Sequence, residues 1–84
     1  MKLKYYQDPG HGWVAVKRSL VESLGIADAI TPYSYQNGQT VYLEEDLDAD
    51  LLIKALTARG ETVTFDVRHT NSHSSIRNYP HYAP

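Results

Sequence analysis

The dipeptide Asn37-Gly38 constrains this chain more than any other feature. It lies in TPYSYQNGQTVYLEED, residues 31–46, between two arms of strand-like composition. Asn-Gly in that setting signals a β-hairpin, because both central positions of a type I′ turn need positive φ. A two-residue turn fixes the register of its arms. Centred on Asn37-Gly38, the turn sets Gln36 opposite Gln39, Tyr35 opposite Thr40, Ser34 opposite Val41 and Tyr33 opposite Tyr42. Opposed residues point to the same side. Tyr33, Tyr35, Thr40 and Tyr42 are therefore expected on one face, and Ser34, Val41 and Leu43 on the other.

The rest of the chain divides around this hairpin. KLKYYQ (2–7) and WVAVK (13–17) read as strands joined by the turn residues DPGHG. SLVESLG reads as a short helix, with Ser19 and Glu22 at capping-box spacing and Gly25 as its stop. DLDADLLIKALTARG is the better helix, capped by Asp46 or Asp48, striped by Leu51, Leu52, Ala55 and Leu56, and ended by Gly60. ETVTFDVRHT alternates Val63, Phe65 and Val67 with Thr64, Asp66 and Arg68, the pattern of a half-buried strand. The order β-β-α-β-β-α-β predicts one α+β domain over residues 1–70, a mainly antiparallel sheet with two helices on one face. Residues 71–84 are polar and aperiodic, and are expected to form an irregular C-terminal arm.

Composition narrows the function classes. Eighty-four residues suffice for one small core. The absence of Cys removes disulfides and thiolate metal sites, and fits a reducing compartment. The N-terminus has no long apolar run, so a cytoplasmic protein with no membrane partner is expected. The net charge is only −2. It is unevenly spread: Lys2, Lys4, Lys17 and Arg18 stand against Asp8 in residues 1–20, a local +3, while residues 21–60 carry −5. A protein that coats nucleic acid is usually more basic overall.

Alternation sorts the outward side chains. With the aliphatic residues under the helices, the helix-free side of the sheet is expected to carry Tyr6, Trp13, Tyr33, Tyr35 and Tyr42. Lys17 and Arg68, with Lys2 and Lys4, would edge it. Aromatic rings beside cations suit recognition, since a tyrosine offers a large contact area and a hydroxyl at little entropic cost. Arg77, in SSIRNYPHY, adds a docking residue on the arm. The same rings also stabilise a sheet with no partner at all, and the arm could fold back over them. No catalytic set is expected. His69 and His73 flank Asn71-Ser72, which breaks a helix, so they are not aimed at one metal. A small enzyme using His11 or His69 is the least favoured class: His11 near Asp8 is a conceivable base, but a turn histidine facing solvent is the commoner outcome. LEEDLDAD lacks the glycine bend of a calcium loop and reads as a charged helix start. Neither metal nor cofactor is expected.

GHGWVAVKRSLVESLGI, YSYQNGQTVYLEEDLDADLLIKAL and HTNSHSSIRNY together resemble small proteins encoded by bacteriophages and plasmids, a group with no assigned activity. The resemblance covers most of the chain. It implies an accessory protein made inside a bacterium, of the kind that often inhibits or adapts host machinery. The expected function is non-enzymatic binding of a protein partner, or of a second copy as a homodimer, through the aromatic face. The alternative is a module for single-stranded nucleic acid on that same face.

Overall fold

The β-branched and aromatic runs form five strands: β1 (Lys2–Gln7), β2 (Gly12–Lys17), β3 (Tyr35–Asn37), β4 (Thr40–Glu44) and β5 (Thr64–His69). Two helices, α1 (Arg18–Ser23) and α2 (Asp48–Ala58), and two short 3₁₀ turns complete the chain. This computed structural model describes residues 1–84. The strands make one sheet in the order β3-β4-β2-β1-β5. All neighbours are antiparallel except β1 and β5, which run parallel. A parallel neighbour requires a long crossover, and α2 supplies it between β4 and β5. The α+β class expected from the sequence is the class observed. No helix is long and apolar enough to cross a membrane.

The hairpin forms, with a different centre. Asn37 pairs with Thr40, so the central residues are Gly38 and Gln39. Gly38 has φ of 61°, and no non-glycine residue has positive φ. Glycine first and an ordinary residue second is the type II′ arrangement, which spares Asn37 the left-handed conformation. Moving the centre by one residue moves each partner by two. Tyr35 thus faces Tyr42 rather than Thr40, yet stays on the same side. Tyr33 falls outside β3, in the preceding turn.

Both helices sit on the face expected. Leu3, Val14, Val16, Val41 and Leu43 from the sheet close against Val21 of α1 and Ala49, Leu52 and Leu56 of α2. Each fully buried aliphatic side chain contributes roughly 1.5–3 kcal/mol of transfer free energy. Val63, just before β5, packs against this core partly buried, as expected, but Phe65 and Val67 depart from expectation. Their face is right, since Phe65 lies beside Leu3 and Val67 beside Tyr5, but the helices do not cover β5. Phe65 remains 38% exposed and Val67 58%.

The helix starts also differ. α1 begins at Arg18, directly after β2, and Ser19 makes no capping bond. α2 is capped by neither Asp46 nor Asp48. Glu44, at the end of β4, accepts the backbone N–H groups of Asp46, Leu47 and Asp48 at 2.8, 2.6 and 2.8 Å. Burial pushes the Glu44 carboxyl up, but these three donors, with His11 nearby, outweigh it and hold the group below its usual value. Asp48 turns inward, where its carboxylate accepts from the Thr31 N–H, the Thr31 hydroxyl and the Ser34 hydroxyl at 3.1, 2.7 and 2.5 Å. Ser34 in turn accepts from the Glu44 N–H at 3.0 Å. The stops are as expected: Gly60, at φ 82°, donates to Thr57 while Glu61 donates to Leu56, a Schellman closure.

Candidate functional site

Strand register lays out the helix-free face in three rows. One row runs Glu44, Trp13, Tyr6, Arg68; the next Tyr35, Tyr42, Ala15, Lys4, Asp66; the third begins Asn37, Thr40, Lys17 and continues to Lys2. Of the residues expected there, Tyr6, Trp13, Lys17, Tyr35, Tyr42 and Arg68 share this side. Tyr33 does not join them; it is 73% exposed on its turn.

The C-terminal segment divides this face. It is not a free arm, because residues 74–82 cross the sheet and close its β3 edge. Asp8, buried in the β1–β2 turn, is the anchor. Its carboxylate accepts from Arg77 Nε and a terminal guanidinium nitrogen at 2.7 and 2.8 Å, and from the Ser74 N–H at 3.0 Å. The N–H groups of Gly10 and His11 donate to the same carboxylate. The Arg77 guanidinium first, and these backbone donors after it, hold the Asp8 carboxyl well below the usual range. Arg77 lies over the Trp13 ring, with its guanidinium carbon 5.2 Å from the centroid. Tyr79 meets Tyr42 with centroids 5.3 Å apart, and His81 stacks on Tyr35 at 4.9 Å. Gln36 donates to the Pro80 carbonyl and Tyr82 to the Ser34 carbonyl, so the segment pairs with β3. The Tyr82 ring then enters the helix-side core, its hydroxyl bonded to the Ala27 carbonyl at 2.7 Å. Trp13 is left 1% exposed. The broad aromatic platform expected from the sequence is therefore half covered, and Arg77 is an internal tie.

A cavity of about 380 Å³ lies at this covered end, lined by His11, Trp13, Tyr33, Tyr35, Glu44, Asp46, Leu47 and Arg77. Ligand atoms of His11, Glu44 and Asp46 lie within 4.8 Å of one another. Glu44 already serves three backbone donors, so a cation there would compete with the cap of α2. The Asp8 carboxylate receives the backbone N–H of His11 rather than its ring. The ring instead points its nitrogens toward Glu44 and Glu45, at 3.8 and 3.7 Å. Asp8 therefore does not orient His11 as a base.

The opposite end of the face stays open. Ala15, a small residue flanked by longer ones, floors a depression of about 330 Å³ walled by Lys4, Tyr6, Lys17, Thr40 and Tyr42. Tyr6 and Tyr42 meet edge to face at 6.2 Å. The depression continues into a groove of about 650 Å³ beside α1, which shares Lys4, Ala15 and Lys17 and adds Lys2, Leu20 and Ser23. Lys2, Lys4 and Lys17 make no ion pair, whereas Arg68 is paired with Asp66 at 2.8 Å. The Asp66 carboxyl is lowered by Arg68 first, with Lys2 and Lys4 adding smaller effects.

Alternation alone places Tyr6, Ala15, Lys17 and Tyr42 on the helix-free face. It does not show that Ala15 leaves a gap in the outer layer, although a single small residue among longer outward neighbours is the signal for one. No protein-family model, no curated protein and no solved structure matches this chain.

Proposed function

We propose that the protein is a non-enzymatic binding module that takes single-stranded nucleic acid on the open half of its sheet face. The observation that carries this reading is the convergence of Tyr6, Tyr42 and the unpaired Lys4 and Lys17 on the gap above Ala15. Unstacked bases are held by aromatic faces and their phosphates by lysines, and a concave floor between the two lets one base enter. The net charge of −2 does not oppose this, because the acids of residues 44–50 lie at the other end of the sheet, two of them buried. A protein partner on the wide aromatic face is supported less, since Trp13 and Tyr35 lie beneath the chain's own C-terminal segment. The accessory setting implied by the resemblance to bacteriophage and plasmid proteins is kept as part of this reading.

Fluorescence polarisation with a short labelled oligothymidylate tests it. Three lysines each neutralising one phosphate give a log–log salt slope of about −2. Lys17→Ala flattens the slope, Tyr42→Ala removes roughly 1–3 kcal/mol of stacking, and Ala15→Leu fills the depression without changing charge. Binding that ignores salt, or that survives Ala15→Leu and Tyr42→Ala unchanged, overturns the reading.

A further inference from the structure

The two edges of the sheet are treated differently. The β3 edge is covered by Pro80–Tyr82, whereas the outer edge of β5 meets nothing. Natural edge strands are usually blunted by proline, by charged side chains, lysine above all, or by a bulge. β5 has no proline, lysine or bulge, and its two charges, Asp66 and Arg68, neutralise each other: TFDVRH pairs with β1 in six unbroken positions, with Phe65 and Val67 exposed on its helix side. The backbone phase is fixed because Thr64 donates to Met1 and Thr70 to Gln7. Even-numbered residues therefore bond inward to β1, and the N–H and C=O groups of Phe65, Val67 and His69 point outward.

We propose that the protein dimerises by pairing β5 with β5 of a second copy, antiparallel across a two-fold axis at Val67. In such a pair opposed residues share a face and outward backbone groups must meet, so partners differ by an even number. A centre at Asp66 sets Asp66 against Asp66, and a centre at Arg68 sets Arg68 against Arg68. Only a centre at Val67 sets Asp66 opposite Arg68 on both sides of the axis, with Val67 opposite Val67 and Phe65 opposite His69. The Asp66–Arg68 pairs then occupy non-hydrogen-bonded positions, where side chains are closest. The existing 2.8 Å contact between Asp66 and Arg68 becomes part of a four-membered ring of alternating charge. On the helix side, Phe65 and Val67 of the two copies cover one another, which supplies the burial α2 does not. A closed two-fold interface of this kind is the commonest form of self-assembly. The pairing stands independently of nucleic-acid binding, although it would set both open depressions on one continuous face.

Sedimentation equilibrium over a concentration series extending into the submillimolar range tests the pairing. Wild type reaches the dimer mass. Asp66→Arg and Arg68→Asp each raise the dimer dissociation constant by about tenfold or more, through like charges set opposite one another. The double variant Asp66→Arg/Arg68→Asp restores dimerisation, because the ring re-forms with its signs exchanged. Val67→Lys abolishes it, and circular dichroism melting confirms that each variant is folded. A monomer at every concentration, or charge reversals that leave assembly unchanged, overturns the inference. So does a dimer that the double variant fails to restore, because the register at Val67 is then wrong.

Discussion

Replacing Asp48 by Ala asks why five acids crowd residues 44–50. If they form only a charged helix start, the change is nearly silent. If Asp48 is the acceptor of a buried polar knot, it is severe. The Ser34 hydroxyl is fully buried, so without Asp48 its proton meets neither carboxylate nor water. An orphaned buried group of this kind costs roughly 1–3 kcal/mol. Thr31 is only half-buried, so its N–H and hydroxyl recover water and lose roughly 0.5–1.5 kcal/mol together. Asp48 also opens α2, where an anion contributes about 0.3–1 kcal/mol. The expected loss is about 3 kcal/mol, large for a domain of this size. Urea titration followed by the emission of Trp13, the sole tryptophan, measures it. Ser34→Ala supplies the control. In the double variant there is no hydroxyl proton left to strand, so the pair should cost about 1–2 kcal/mol less than the two singles added. An Asp48→Ala loss below about 1 kcal/mol, or strict additivity in the cycle, refutes the knot.

Two further outcomes follow from the titrating groups. Asp8 has a depressed folded pKa, so its contribution is full above about pH 4 and drains as pH falls through the folded value. Arg77→Ala should flatten this acid limb and shift Trp13 emission to the red, both read in one pH series; an unchanged acid limb would count against the Asp8–Arg77 tie. At the alkaline end, burial first and the hydrogen bond to Glu45 second push the Tyr5 phenol up to about 12. A raised phenol stabilises below its unfolded pKa of about 10 and loses that contribution as pH rises toward 12. Absorbance titration should show a late-ionising tyrosine that Glu45→Gln moves earlier.

Periodicity made much of the fold legible, and contacts between distant segments hid the rest. Alternation in WVAVK and QTVYLE sorted inward from outward correctly, because a pleated strand leaves no other choice. It could not say whether a helix would reach the strand, which is why Phe65 and Val67 were expected inside and lie outside. The Asn-Gly pair located the hairpin but not its centre, since a single glycine meets the demand of a type II′ turn. Glu44 was invisible as the cap of α2 because it belongs to the preceding strand. The fate of residues 74–82 turned on Asp8, which lies 69 positions from Arg77, and no local pattern links the two. Within the candidate site, Tyr6, Lys17 and Tyr42 were readable from alternation. The loss of Trp13 and Tyr35 to the overlying segment was not, because their covering comes from the polar tail.

The overlying segment also sets a schedule. Residues 74–82 leave the ribosome after every strand and helix against which they lie. Until then the nascent chain presents Trp13, Tyr35 and the bare backbone of β3 to its surroundings. Translation that stops just after β5 would thus release a domain with a nearly finished interior and an adhesive flank, the sort of species that chaperones and proteases intercept.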